Sequence, residues 1–300
     1  MMSTFNGARY LEEQIQSILL QSAVSVKLFI RDDGSTDETV SILERYAADG
    51  RAAVTYGNNI GIGKSFIELL YTVPDDFDYY AFSDQDDIWL DDKLFTAVCR
   101  LNEERGCALY ASNLELVDAE NHSIGMRFEP DMVFDGSLLS LICRNKCYGC
   151  TQVFNRDLFL FLRRRRPSEL MLTMCLHDSW VSVSASIAGK IFFDTQSHIR
   201  YRRHETNYTK FDRSKAERWR ERLSKLLHRE KRNLRSRKAQ DVIRQYPEYV
   251  ESDPDRELIC SLAQAAKIEN RIALIKHRKR FMVSGESQAW FILKTVVGWI

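Results

Sequence analysis

Three groups of residues in this chain have the types and spacing to do chemistry. The first is Tyr79-Tyr80-Ala81-Phe82-Ser83-Asp84-Gln85-Asp86-Asp87-Ile88-Trp89, where an aromatic run suited to a buried strand ends in three carboxylates within four residues. Packing Asp84, Asp86 and Asp87 together costs repulsion unless water or a cation screens them, and hard oxygen ligands favour Mg2+ or Mn2+. In a locally extended chain the Asp-x-Asp spacing puts Asp84 and Asp86 on one side. An acidic turn capping the next helix would give the same letters, so the neighbours must decide. The second group is Asp32-Asp33-Gly34-Ser35-Thr36-Asp37. There Gly34 permits a turn, and Ser35 with Glu38 has capping-box spacing for a helix through Tyr46. The third is His177-Asp178-Ser179-Trp180, which opens a helix. Asp178 there suits an N-cap, and capping does not exclude catalysis.

These residues need elements to hold them. Tyr10, Leu11, Gln14, Ile15, Ile18 and Leu19 follow helical spacing after Met2-Ser3-Thr4-Phe5-Asn6-Gly7, which reads as a strand end turning into a helix. The strand that should precede it is missing or very short. Strands are expected over Val26 to Arg31, Val54 to Tyr56 and Tyr79 to Ser83, with helices after Asn58-Asn59-Ile60-Gly61-Ile62-Gly63-Lys64 and from Asp91-Asp92-Lys93. The Gly61 loop lacks phosphate-loop spacing. One or two strands are expected within Ala108 to Asp118, a short helix over Leu138 to Cys143, and a strand in Gly149 to Phe154 entered through a glycine turn. A helix from His177 should end at Gly189 as its C-cap, followed by strands over Lys190 to Asp194 and Ile199 to Arg203. Alternation of this kind indicates an α/β domain with a largely parallel sheet and ligands at the carboxyl ends of its strands. Asp32, Asp33, Asp84 and Asp86 fall at such ends.

With 300 residues, 44% of them hydrophobic and 28% charged, the chain can bury one large domain plus an extension. Its net charge of +1 hides an asymmetry. Arg200 to Arg244 holds 17 Lys or Arg against 6 Asp or Glu, so this segment is basic and the remainder acidic. Ser214 to Tyr246 should be helical, Pro247 and Pro254 break it from a helix over Ile259 to Ile275, and the apolar ending from Ala289 to Ile300 is too short to cross a bilayer but could lie in its interface. No signal peptide is visible, which points to a cytoplasmic body. The seven cysteines lack framework spacing and suit a reducing compartment. Cys143, Cys147 and Cys150 have no second pair or nearby His to complete a zinc site.

Taken in order, the motifs Ser3-Thr4-Phe5-Asn6-Gly7, Arg31 to Asp37, Asn58-Asn59-Ile60-Gly61, Ser83 to Trp89, Gly149-Cys150-Thr151-Gln152, His177 to Trp180 and Tyr201-Arg202-Arg203-His204 resemble an inverting family 2 glycosyltransferase of GT-A fold, close to bacterial rhamnosyltransferase-like members. The resemblance covers roughly residues 2 to 208. It implies a Rossmann-like, mostly parallel sheet flanked by helices over 1–210, with its first strand apparently truncated; composition and spacing add a basic, helical extension over 211–300 that could associate with a membrane. It also implies transfer of a sugar, rhamnose as first choice, from a dTDP- or UDP-sugar to a lipid-linked or cell-surface saccharide.

Residue by residue, the resemblance puts Ser3 and Phe5 against the donor base. Asp33 would accept from the pyrimidine ring N–H, which selects uracil or thymine over cytosine. Asp32 would be structural or ribose-facing. Asp84 would hold the ribose, and Asp86 would hold Mg2+ or Mn2+ on the diphosphate, with His204 as a further ligand or diphosphate donor. Inversion needs a base opposite the leaving group, and Asp178 matches the catalytic Asp of the family's Glu-Asp motif. His177 departs from that motif's Glu. Gln152 and Trp180 would line the acceptor pocket. The basic segment suits anionic headgroups at the inner face of the plasma membrane better than nucleic acid, because no nucleic-acid-binding motif accompanies it. If Met1 is the true start, the sheet lacks most of its central strand, and the alternative is an inactive remnant serving as a membrane-associated partner.

Overall fold

The computed structural model describes residues 1–204, 233–283 and 286–300. They fall into two compact units, Met1–Phe134 with Lys146–His204, and Asp135–Asn145 with the residues after His204. The first unit begins with β1 (Met2–Thr4), α1 (Ala8–Leu19), β2 (Leu28–Asp32), α2 (Thr39–Ala48), β3 (Ala52–Tyr56) and α3 (Ile62–Thr72). β1, β2 and β3 form a parallel sheet in that order, with Met2 opposite Ile30 and Leu28 opposite Ala52. Parallel neighbours need crossovers, and α1 and α2 supply them with amphipathic faces that bury Leu11, Ile15 and Ile18, and Ile42 and Leu43.

The chain continues through β4 (Tyr79–Ala81), β5 (Ile88–Trp89), α4 (Lys93–Leu101), β6 (Cys107–Val117), β7 (Ser123–Met126), α5 (Leu138–Cys143, in the second unit), β8 (Val153–Asn155), α6 (Arg156–Arg163), α7 (Leu176–Ala188) and β9 (Gly189–Arg202). This sheet runs β4-β8-β6-β9-β5, with β7 beside β6. Its β6–β9 pair is parallel, and its β4–β8, β6–β8 and β5–β9 pairs are antiparallel. The two sheets meet where Met2 pairs in parallel with Ser83 and the Ser83 N–H donates to the Met1 carbonyl at 2.9 Å. The carboxyl ends of β1, β2 and β4 therefore lie side by side, which is where an α/β sheet places its ligands.

Several local expectations change. Ser35 and Glu38 make no capping box. Ser35 Oγ instead donates to Asp32 Oδ1 at 2.6 Å, and α2 starts only at Thr39, whose N–H donates to Asp37. Gly189 is the C-cap of α7, as expected, but in an extended rather than left-handed conformation, and it is also the first residue of β9, where a Cβ would sit 1.8 Å from the Cys107 carbonyl oxygen. Close strand approach, not turn conformation, demands glycine there. Lys190 to Arg202 is one strand rather than two, because β9 follows β6 along its length and absorbs the irregularity in register shifts between Ser112 and Glu115.

The second unit contains α5, α8 (Leu234–Gln245), α9 (Pro247–Glu251), α10 (Arg256–Ala263), α11 (Ile268–Lys276), α12 (Arg278–Phe281) and α13 (Gln288–Val296). The single helix expected over Ile259 to Ile275 is two. Asn270 donates to the Gln264 carbonyl and Arg271 to those of Ala265 and Ala266, which satisfies the ending helix with side chains. Inside the unit Glu286 bonds Arg235 at 3.0 Å and also Lys294. The expected helix over Ser214 to Tyr246 lies outside the described residues up to 232. No described helix is long and apolar enough to cross a membrane.

Candidate functional site

The first wall of the site is the end of β2. Asp32 is consumed locally: it accepts from Thr4 Oγ1, Ser35 Oγ and the N–H groups of Gly34 and Ser35. Of the two roles left open for it, the structural one fits. Asp33 is also buried, accepting from the N–H groups of Ile60 and Gly61 at 2.9–3.1 Å and pairing with Arg31. These contacts fix the carboxylate where the Asn58 to Gly61 loop meets β2. Arg31 also donates to Ser65 Oγ, which accepts from Ser3 Oγ at 2.6 Å. Ser3, Asp33 and the start of α3 are thus one hydrogen-bonded group, beside which Phe5 is 45% exposed.

The acidic turn after β4 forms the floor. Its backbone is pinned from α1: Gln14 Nε2 donates to Ser83 Oγ, Ser17 Oγ accepts from Trp89 N–H, and Gln21 Nε2 donates to the Leu90 carbonyl. The residue between the two aspartates does more than space them. Gln85 pairs with Phe5 as a strand would, accepting from its N–H at 2.8 Å and donating to its carbonyl at 3.1 Å. A Cβ on Gly7 would lie 2.2 Å from Gln85 Oε1, so that glycine makes room for the clamp.

The carboxylates separate into two groups. Asp86 Oδ2 lies 2.9 Å from His204 Nε2, both side chains slightly open to solvent, and so the structure brings together the two residues expected to hold a metal. Asp84, Asp87 and Cys150 cluster within 4.8 Å behind them. Burial, then the charges of Asp86 and Asp178, push the Asp84 carboxyl up to about 7. Burial and the neighbouring Asp86 and Asp84 raise Asp87 well above the carboxylate range, and its Oδ2 is buried without a partner. Burial, then Asp87 and Asp84, raise the Cys150 thiol well above its ordinary range. An orphaned carboxylate oxygen, raised carboxyls and a nearby imidazole fit a hard divalent cation. The clustered Asp84 and Asp87 carboxylates, or the neighbouring Asp86 and His204 pair, would hold it.

Arg202 frames this turn from β9. Its guanidinium donates to the Asp86 and Ala119 carbonyls and to Glu13 Oε2 at 2.6 Å, its N–H donates to Asp87 Oδ1, and its charge lies 4.6 Å from the Tyr10 ring centroid. Lys93 is buried beneath the cluster, 3.8 Å from the Trp89 ring centroid. Burial pushes its ammonium down to about 8, against the pull of Cys150 and Asp87.

The opposite wall is the start of α7. Asp178 lies in its first turn, where Oδ1 accepts from the Ser179 N–H. The chain enters the helix through Leu176 at φ 65°, a left-handed conformation that a leucine avoids unless its surroundings impose it. Gly149 lies against this entry, since a Cβ there would sit 2.7 Å from His177 Nε2 and 3.4 Å from Asp178 Cβ. Gln152 is fully buried and donates to the Cys147 and Asp178 carbonyls and to Ser182 Oγ. It anchors the helix end that carries Asp178. Trp180 is 1% exposed and packs in the core. Both were expected to line the acceptor pocket; the structure encloses them behind the site instead. His177 stacks on Phe66 at 4.0 Å and meets Phe82 edge-on, with neither ring nitrogen bonded, and burial drops its pKa to about 3. A neutral imidazole here fills an aromatic cage.

Ser3, Phe5 and Asp33 lie at the ends of β1 and β2, Phe5 joined to the acidic turn through Gln85, and the Asp178 charge helps to raise the Asp84 carboxyl. Gln85 and Arg202 lie inside motifs singled out from sequence, yet their roles depend on partners 80 and 116 residues away.

Comparison with known proteins gives the same direction. The family described as Glycosyl transferase family 2 matches residues 1–159. The chain is 29% identical over 215 residues to the dTDP-rhamnosyl transferase RfbG of Shigella flexneri, covering 69% of this chain and 72% of that protein. It is 29% identical over 154 residues to the putative teichuronic acid biosynthesis glycosyltransferase TuaG of Bacillus subtilis, covering 50% of this chain and 58% of that one. Among solved structures, S. aureus TarS 1-349 in complex with UDP-GlcNAc aligns with a TM-score of 0.53 at 17% identity, over 94% of this chain and 80% of that one. At that identity the likeness is one of fold.

Proposed function

This chain belongs to glycosyl transferase family 2, and from that premise we propose that it transfers a sugar, with inversion, from a dTDP- or UDP-sugar to a lipid-linked or cell-surface saccharide. Rhamnose is the first choice of sugar, supported by the similarity to a protein named as a dTDP-rhamnosyl transferase. The observation that supports the mechanism is the 2.9 Å contact of Asp86 Oδ2 with His204 Nε2, beside an Asp84 carboxyl that is raised in part by the charge of Asp178.

In this reading Ser3 and Phe5 receive the pyrimidine and Asp33 accepts its ring N–H, alongside the amides that already orient the carboxylate. Asp84 contacts the ribose, and Asp86 and His204 would hold Mg2+ or Mn2+, which when bound would supply Lewis-acid stabilisation of the leaving nucleoside diphosphate. Asp178 takes the proton of the acceptor hydroxyl. The acceptor oxygen then forms its bond to the anomeric carbon as the bond to the diphosphate oxygen breaks on the opposite face, and the electron pair leaves with the nucleotide. The basic extension would hold the protein at the inner membrane face, where a lipid-linked acceptor lies.

A panel of dTDP- and UDP-sugars, titrated calorimetrically with and without Mn2+, tests the reading. Metal-dependent binding of a dTDP- or UDP-sugar is expected, tightest for dTDP-rhamnose. Equal affinity with and without the metal would remove Asp86 and His204 from the metal role.

A further inference from the structure

The second unit carries a surface that the transfer reaction does not use. Ile268 and Ile272, one turn apart on α11, are 73% and 62% exposed, and Leu293 and Val296 on α13 are exposed together with Val297, which caps it. Arg271 joins the two helices at this surface by donating to the Val296 carbonyl at 2.9 Å. The side chains that each helix buries, Leu274 on one and Phe291 and Thr295 on the other, point elsewhere. Scattered apolar side chains on a surface are ordinary, but five on adjoining helix faces form a patch. The patch is edged by charge: residues 267–280 hold six Lys or Arg and one acid, Glu269, and Lys267, Lys276 and Lys279 are exposed. Trp290 and Trp299, half-buried at the same end of the chain, are of the type that settles at headgroup level.

We infer that this face enters the headgroup region of an anionic membrane. Each half of the patch excludes another occupant. A second copy of the chain would cover the apolar faces but oppose the two basic strips, and a nucleic acid would satisfy the charge but leave Ile268, Ile272, Leu293 and Val296 in water. An anionic lipid surface satisfies both, as it does for interfacial amphipathic helices. The inference rests on the proposed lipid-linked acceptor for its purpose only, because vesicle binding needs no catalysis.

The test is co-sedimentation of the full chain with vesicles of phosphatidylcholine alone or mixed with phosphatidylglycerol. The wild type should bind the anionic vesicles and bind neutral ones much more weakly. Ile272→Glu with Val296→Glu should weaken anionic-vesicle binding by about tenfold or more, and Lys276→Gln with Lys279→Gln by about fivefold per lysine. Both side-chain pairs are exposed, so thermal melts should not move, and donor hydrolysis should persist in each variant. Undiminished vesicle binding by the apolar variant would overturn the inference. So would self-association of the wild type that this variant abolishes, without vesicle binding, since the face would then join copies of the chain. Lost donor hydrolysis in wild type would instead strike the proposed reaction and leave the membrane surface standing.

Discussion

His177 offers a prediction whose size follows from its surroundings. The ring is enclosed by Phe66, Phe82 and Gly149 with both nitrogens unbonded, and its pKa falls to about 3 from an ordinary 6.5. The folded pKa lies below the unfolded one, so the unfolded chain binds the extra proton. Stability from this group is therefore intact above about pH 6.5 and is lost as pH falls towards about 3. Linkage across that gap gives a loss of about 2 kcal/mol between pH 7 and pH 5. Replacing the ring with an apolar side chain of similar size, His177→Leu, should remove this component while keeping the cage filled. Urea unfolding at pH 7 and pH 5 would measure it: the wild type should lose about 2 kcal/mol more than the variant over this interval, because titration of other groups cancels in the comparison. Equal losses would show that the imidazole is not held neutral in an apolar cage, and the reading of His177 as packing beside Asp178 would fail.

Other perturbations probe the walls of the site. Gly149→Ala places a methyl 2.7 Å from His177 Nε2 and 3.4 Å from Asp178 Cβ; we expect about 1–3 kcal/mol of destabilisation by thermal melting and a lower kcat with unchanged donor affinity. Gln85→Ala removes both hydrogen bonds to the Phe5 backbone, each worth about 1 kcal/mol, and should raise donor KM by about fivefold or more while Mn2+ affinity changes little. Asp86→Ala removes the carboxylate facing His204 and should abolish the gain in donor affinity on adding Mn2+, read by calorimetry.

Much of the sheet was legible because its signals are local. The β2 and β4 runs stop at carboxylates, α1 shows its stripe in Leu11, Ile15 and Ile18, and Leu138–Cys143 is helical as its spacing indicates. What the spacing could not carry was competition for the same atoms. Ser35 has the letters of a cap, but Asp32 lies closer to it than the helix amides do, and the hydrogen bond goes there. Gly189 stops α7 as its letters indicate, but that only glycine fits there becomes clear once β6 comes within contact of β9. Gln152 and Trp180 have side chains suited to binding sugar, and only the fold shows that both are enclosed. Arg202 could be ranked above Arg200 or Arg203 only after β9 delivered its three guanidinium nitrogens to Asp86, Ala119 and Glu13.

The central claim is that one cleft end pairs a donor and cation site at Asp84, Asp86 and His204 with a proton acceptor at Asp178. Steady-state transfer and donor titration of Asp178→Asn test it most directly, because the amide keeps the shape of the side chain and loses its basicity. The account predicts donor affinity within about twofold of wild type, with transfer lower by about 100-fold or more. Transfer at the wild-type rate would contradict it.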